Sequence, residues 1–147
     1  MTLTIRDYRP ADLETVASLW MASWDSTGVM APDTSGTAAD LRKRLPEEIA
    51  EGWSVYVAEA HGAIVGFCAL TDDKLKQLFV APSHQGAGIG KRLLDFVKQI
   101  RPEGFSLTTP CASRACRFYA REGMICDDAS PHPRFGFPRF LYSWTPK

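Results

Sequence analysis

The stretch HQGAGIGKRLL, residues 84–94, carries Gly86, Gly88 and Gly90 and runs directly into an amphipathic helical pattern. Glycine leaves bare backbone N–H groups where a side chain would stand. At a helix start those groups have no intrahelical partner, and the helix dipole adds partial positive charge. The chemistry this favours is anion binding, with phosphate the usual occupant. A tight turn needing positive φ accounts for one or two glycines, but hardly for three before a helix. Two phosphate-binding patterns fail on spacing. A nucleotide-binding P-loop needs Gly, four residues, then Gly-Lys-Ser/Thr. Counting back from Gly90-Lys91 puts Gln85 where the first glycine belongs, and Arg92 stands where the hydroxyl belongs. The dinucleotide fingerprint, Gly-x-Gly-x-x-Gly on the first strand of a parallel unit, fails because the third glycine comes one residue early. What remains is Gln-x-x-Gly-x-Gly, formed by Gln85, Gly88 and Gly90, directly after LFVAP.

Other reactive groups are sparse. Cys68, Cys111, Cys116 and Cys126 form no C-x-x-C pair, and the histidines complete no zinc spacing, so no metal is expected. The thiols read as free in a reducing compartment, with Cys111 and Cys116 as small buried hydrophobes. His84 reads as a solvated loop residue. Lys plus Arg (17) equals Asp plus Glu (17), which leaves no field for nucleic acid or a membrane surface. No apolar run approaches a membrane span, and MTLTIRDYRP alternates like a strand rather than a signal peptide. A cytoplasmic protein is expected.

The elements that must hold the glycine loop are legible in the pattern. A chain of 147 residues, 45% of them hydrophobic, can bury one substantial core, so one domain over 1–147 is expected. Residues 3–9 alternate as a strand, and Pro10 opens a helix with Leu13, Val16, Ala17, Trp20 and Trp24 on one face. Residues 25–36 read as loop, and a helix over about 37–51 is bent or split by Pro46. WSVYVAEA and AIVGFCAL flank His61-Gly62 as a hairpin, and KLKQLFV is a strand stopped by Ala81-Pro82. After the glycine loop, Ile89, Leu93, Val97 and Ile100 form one helical stripe. GFSLTTP is a strand, SRACRFYAREG a helix ended by Gly123, and FPRFLYSW a closing strand, with a short strand candidate at 125–127 between them.

In that setting LFVAPSHQGAGIGKRLL resembles the acyl-CoA-binding motif of the GNAT superfamily of N-acetyltransferases. ACRFYAREGM (115–124) resembles its Ala-x-x-Phe-Tyr-Glu-x-x-Gly-Phe helix, and the likeness runs over essentially the whole chain. The resemblance implies an α/β fold with a central mixed, splayed sheet of about six to seven strands and about four helices. It implies acetyl-CoA as cosubstrate, its pantetheine arm against Leu78, Phe79 and Val80, and its pyrophosphate on Gln85, Gly86, Ala87, Gly88, Ile89, Gly90 and Lys91. It implies Tyr119 as the general acid toward the departing thiolate, and a phenol of ordinary pKa ~10 keeps its proton at neutral pH.

The sequence departs from the family pattern at Ala112, where members often carry Asn, with Ser113 the nearest polar substitute. Ala120 replaces the Glu after Phe-Tyr, and KLKQLFV lacks the carboxylate that some members carry as base. Glu59, Asp72, Asp73 and Asp25 are the nearest carboxylates by position, and a water-relayed base is the alternative. Family geometry sets the acceptor at residues 25–36 and the hairpin around 134–138, with Trp24 lining it and Asp25 and Asp33 attracting a cationic amine. The expected reaction is acetyl transfer to a primary amine of a small molecule or peptide, by a monomer or homodimer. A non-catalytic acyl-CoA-binding or sensing module on the same fold, and an accessory subunit, are the alternatives.

Overall fold

The computed structural model describes residues 3–27, 38–81, 84, 88–110, 115–131 and 138–145. Among the described residues, seven strands form two antiparallel ladders. β1 (Leu3–Asp7), β2 (Ser54–Ala60), β3 (Ala63–Leu70) and β4 (Leu75–Val80) pair in that spatial order. β5 (Phe105–Pro110), β6 (Ile125–Pro131) and β7 (Pro138–Trp144) form the second ladder, in the order β5-β7-β6. The mixed character rests on one parallel bridge, Lys74↔Ser106, at the start of β4 and β5.

Local chemistry explains the elements. His61 (φ 52) and Gly62 (φ 78) both take positive φ between paired Ala60 and Ala63, the two-residue turn whose twist matches a hairpin. Pro10 begins a 3-10 turn (Pro10–Asp12) that leads into α1 (Leu13–Thr27). Here Asp12 accepts the Arg9 N–H at 2.8 Å. α1 runs past the expected end at residue 24, so Asp25 is helical rather than in a loop. Pro46 lies inside α2 (Ala38–Ala50) without splitting it. β6 extends beyond 125–127, with a register shift between Cys126 and Ala129.

The first ladder is covered on both faces. On one, Val16, Ala17, Leu19 and Trp20 of α1 and Leu45 of α2 pack against Val55, Val57, Phe67, Ala69 and Phe79. Trp20 is core, as its spacing indicates, with Trp53 at 5.5 Å and the Arg44 guanidinium 5.0 Å over its ring. On the other face α3 (Ile89–Ile100) buries Ile89, Leu93, Leu94 and Val97. Each such side chain contributes on the order of 1.5–3 kcal/mol, so α3 is anchored firmly. Phe105, Leu107 and Tyr142 of the second ladder and Tyr119 of α4 (Ala115–Arg121) join that same cluster. One core thus spans two ladders that barely pair with each other.

Candidate active site

The gap between β4 and β5 is the central feature. Ser106 N–H donates to the Asp73 carbonyl at 2.9 Å, and the Lys74↔Ser106 bridge adjoins it. Beyond that point the two strands form no further pairing among the described residues. A register shift between Ala69 and Leu70 sets Leu70 opposite Leu75 and Ala69 opposite Gln77, leaving Lys76 as the extra residue of a bulge. A bulge bends its strand and increases its twist. It sits just where β4 leaves β5.

Ladder parity says which backbone groups face the gap. Ala81 N–H donates to the Val65 carbonyl at 2.8 Å, so Ala81 and, two residues back, Phe79 turn their backbone groups toward β3. Leu78 and Val80 turn theirs the other way, toward β5. Of the three strand residues expected to meet a pantetheine arm, Leu78 and Val80 therefore face the gap. Phe79 puts its side chain into the core against α1 and α2.

At the same end of β4, α3 begins. Gly88 is its N-cap, in the left-handed region (φ 81, ψ 8), with no side-chain cap hydrogen bond. A side chain there is strained by roughly 1–2 kcal/mol. The first helical bond is Arg92 N–H to the Gly88 carbonyl at 3.1 Å, which leaves the N–H groups of Ile89, Gly90 and Lys91 without acceptors inside the helix. These are the donors an anion needs. Gly90 differs: neither a left-handed backbone nor a steric clash requires glycine there. A Cβ there would stand 3.5 Å from Phe118 Cζ and 3.7 Å from Val80 Cγ2, in ordinary contact.

Tyr119 is buried, its ring 5.2 Å from Phe118 and 5.6 Å from Tyr142. Phe118 reaches the first turn of α3, so α4 stands beside the glycine-started helix end. The Lys91 side chain turns to Glu122, 3.0 Å away, and Asp95, 3.6 Å away. Hydrogen bonding by Glu122 is the largest influence raising its pKa. What Lys91 presents at the start of α3 is its backbone N–H.

The carboxylates named as base candidates separate by position. Asp72 and Asp73 lie where β4 and β5 are still joined, and the Asp72 carbonyl takes Arg101 Nε at 2.6 Å. That end is roughly 20 Å from Val80 at ~3.3 Å per residue. Glu59 accepts Arg6 Nη2 at 3.0 Å, and Arg6 also holds Asp12 at 2.9 Å. These carboxylates are occupied structurally or distant. The side chains of Trp24 and Asp25, and all of Asp33, Gln85, Gly86, Ala87, Ala112, Ser113 and 134–137, lie outside the described residues. Cys68 is buried, which pushes its thiol up to about 12, so it is not a nucleophile at neutral pH. Among the described residues no group of three or more His, Cys, Asp or Glu suits a metal, and no helix is long and apolar enough to cross a membrane. A groove of about 320 Å³ lined by Ile5, Arg92, Asp95, Phe96 and Gln99 lies between α3 and edge strand β1, away from the β4–β5 gap.

Sequence reasoning missed Glu122, which ties α4 to α3. One signal could have found it. An acidic residue at a helix C-terminus opposes the dipole and calls for a cation.

A splayed sheet whose open edge lies beside a glycine-started helix is the arrangement of an acyl-CoA-dependent acetyltransferase. Known proteins agree. The family profile described as acetyltransferase (GNAT) domain matches residues 51–123. Peptidyl-lysine N-acetyltransferase YjaB of Escherichia coli (strain K12) is 30% identical over 140 residues, spanning 94% of this chain and 92% of that protein. The GCN5-related N-acetyltransferase structure from Rhodopseudomonas palustris superposes with a TM-score of 0.84 at 18% identity, covering 99% of this chain and 97% of that one. PaiA N-acetyltransferase from Thermoplasma acidophilum, solved in complex with coenzyme A, gives a TM-score of 0.80 at 20% identity, covering 98% and 100%. The chain belongs to the GNAT acetyltransferase family.

Proposed function

We propose that this chain transfers an acetyl group from acetyl-CoA to the side-chain amine of a lysine in a peptide or protein. The observation that carries the reading is a coincidence at one end of β4. The strand edge of Leu78 and Val80, the open N-terminus of α3 and the helix bearing Tyr119 all meet there. Leu78 and Val80 hold the pantetheine arm as an added strand would. The N–H groups of Ile89, Gly90 and Lys91, together with residues 85–88, hold the pyrophosphate.

The neutral amine attacks the thioester carbonyl, forming the new C–N bond. A strand N–H of the Phe79–Val80 region stabilises the oxyanion. The C–S bond then breaks, and Tyr119 gives its proton to the thiolate. The proton leaving the amine passes to water: Glu59 is tied to Arg6, Asp72 and Asp73 lie at the joined end, and Asp25, the fourth candidate, draws in the acceptor instead. Asp25 and Asp33 draw in the cationic lysine before it loses that proton, and Trp24 lines its path. The lysine acceptor is supported by the relative named a peptidyl-lysine N-acetyltransferase, which aligns over nearly its whole length.

The test is a panel of acetyl acceptors with purified protein and acetyl-CoA. It comprises lysine peptides, peptides with only a free α-amine, and a linear polyamine, read by mass spectrometry of the acetylated position. Acetyl on lysine Nζ is expected. Turnover confined to the polyamine or the α-amine overturns the lysine reading. Gly88→Asp tests the cradle separately. Its Cβ meets nothing within 4 Å, and the left-handed backbone (φ 81) costs the variant about 1–2 kcal/mol, so its fold is verified by circular dichroism before binding is read. An anion placed beside the phosphates weakens CoA binding by about 10²-fold or more, since like charges in contact cost several kcal/mol. Unchanged CoA affinity by calorimetry sinks the cradle.

A further inference from the structure

α4 is seven residues long, and a helix of about two turns has little stability of its own. What holds its ends therefore sets where Tyr119 points. Its C-terminus closes on Gly123 (φ 86), whose N–H donates to the Ala120 carbonyl at 3.2 Å, while Met124 N–H donates to the Tyr119 carbonyl at 3.1 Å. This is the left-handed glycine cap, and Tyr119 and Met124, at the positions whose apolar contact accompanies such a cap, are both buried in one cluster. The Tyr119 backbone is thus part of the cap.

Glu122, just before that glycine, is gripped twice from α3. Lys91 Nζ donates to its carboxylate at 3.0 Å, and Lys98 Nζ donates to its main-chain carbonyl at 3.0 Å. Lys91 and Lys98 stand two turns apart on one face of α3. Lys98 Nζ also lies 5.4 Å over the Trp144 ring, which brings in the end of β7. The Glu122 side chain is 12% exposed against 59% for Lys91, so the carboxylate sits in a partly desolvated seat. Such a pair holds geometry better than two solvated side chains do. Lys91 meanwhile belongs to the first turn of α3, whose N–H groups face the open end.

We propose that Glu122 is a positioning residue: through Lys91 and Lys98 it fixes α4, and with it the Tyr119 ring, against the first turn of α3, so that general acid and phosphate cradle move as one piece. This inference rests on the acetyl-transfer reading and on the role of Tyr119 within it.

Hydrogen exchange with CoA as the probe reads the coupling without any turnover. In wild-type protein, CoA slows exchange of the amides from Tyr119 to Met124 by about tenfold. In Glu122→Gln and in Lys91→Met that slowing falls below about twofold, within the range of a broken coupling. Glu122→Gln removes the charge but keeps an amide oxygen that can accept from Lys91, whereas Lys91→Met removes the bond outright from the exposed side, so Lys91→Met decides the matter if the two variants differ or Glu122→Gln does not fold. Kinetics with a lysine peptide supply the second arm. Glu122→Gln lowers kcat by about tenfold and leaves KM for acetyl-CoA within about twofold, the signature of an interaction that matters in the transition state. Added to Tyr119→Phe, it lowers kcat no further, because it acts through that phenol. Equal CoA protection in wild type and both variants overturns the proposal. So does a kcat loss that persists in full in the Tyr119→Phe background. Wild-type turnover in Tyr119→Phe itself would instead overturn the general-acid reading, while the exchange data still decide the coupling.

Discussion

The two ends of β4 differ in what they are attached to. At Lys74 the strand is joined to β5 by a parallel bridge and by Ser106 N–H on the Asp73 carbonyl, and Arg101 hydrogen-bonds Asp72 from the end of α3. At Val80 it no longer pairs with β5 among the described residues, and the start of α3 stands beside it. The joined end is built of close backbone approaches, the open end of helix-start N–H groups without intrahelical acceptors and an aromatic cluster. On the proposed reading a single strand serves as frame at one end and site at the other, with the Lys76 bulge between them. Substitutions at the open end should change chemistry and leave stability, and substitutions at the joined end should do the reverse.

The largest expected effect is at the open end. Tyr119→Phe keeps the ring and its contacts with Phe118 and Tyr142, removing only the hydroxyl. Turnover of a lysine peptide falls by about 10²–10⁴-fold, the usual contribution of a general acid, with acetyl-CoA affinity nearly unchanged. Wild-type kcat in the folded variant makes Tyr119 a packing residue and breaks the comparison at its more important end.

Gly104→Ala probes the joined end. Gly104 takes φ +115 ahead of β5, and an added Cβ would stand 2.7 Å from the Trp144 carbonyl oxygen, a backbone atom that cannot step aside. Backbone strain and overpacking together destabilise by about 3 kcal/mol. CoA affinity of the protein that remains folded is unchanged. Denaturant unfolding checks the first part and calorimetry the second. A stable variant with weakened CoA binding would show that the two ends are not separable.

How much of this was legible in the sequence differs between the ends. The glycine-started helix was readable, since Gly88 and the Ile89, Leu93, Val97 stripe are local signals. So was the His61-Gly62 hairpin. The joined end was not, because pairing of Lys74 with Ser106 spans a helix and a turn that carry no trace of it. That is why Asp72 and Asp73 read as near the site: short sequence distance hides the length of β4. The end of α1 was misplaced because Asp25, Ser26 and Thr27 have loop-like composition yet continue the helix. Pro46 was read as bending or splitting the helix; α2 is not split there and runs on to Ala50, with Leu45 fully buried. Glu122 escaped notice because the family pattern draws attention to the residue at 120, where this chain has alanine.

A smaller effect lies off to the side of the sheet and sharpens the comparison by depending on pH. Asp12 is nearly buried, and hydrogen bonding by Arg6 holds its carboxyl below the ordinary carboxylate range, against the opposing effect of burial. A carboxyl depressed in the folded state stabilises fully above its unfolded pKa of ~3.9 and loses that contribution as pH falls through the folded value. Asp12→Ala therefore costs about 2 kcal/mol at neutral pH, the worth of a charged hydrogen-bonded pair, with Arg6 still holding Glu59. The difference from wild type shrinks in unfolding curves taken below about pH 4. A difference constant from neutral pH to pH 2 would mean that packing, not the ion pair, accounts for it. CoA affinity at neutral pH is unaffected.

The smallest expected effect tests how many of the three glycines are there for phosphate. Gly88 has positive φ, whereas Gly90 is an ordinary residue in the first turn of α3, with no left-handed backbone to require glycine. Its missing Cβ points toward Phe118 and Val80, at 3.5 Å and 3.7 Å, inward to the neighbouring helix and strand. The N–H groups lie along the helix axis at its open tip, so a methyl group on the inner side leaves their approach clear. Alanine also has the better helix propensity, by up to ~1 kcal/mol over glycine. Gly90→Ala should therefore raise stability by about 0.5 kcal/mol and leave CoA affinity within about twofold. Calorimetry and thermal unfolding of one variant decide it. If CoA affinity drops tenfold or more, the bare backbone at Gly90 is needed for the ligand after all, and the close approach of Phe118 is incidental. If it holds, Gly88 alone of these two needs to be glycine for the open end, and the first turn of α3 packs against Phe118 equally well with a methyl group at position 90.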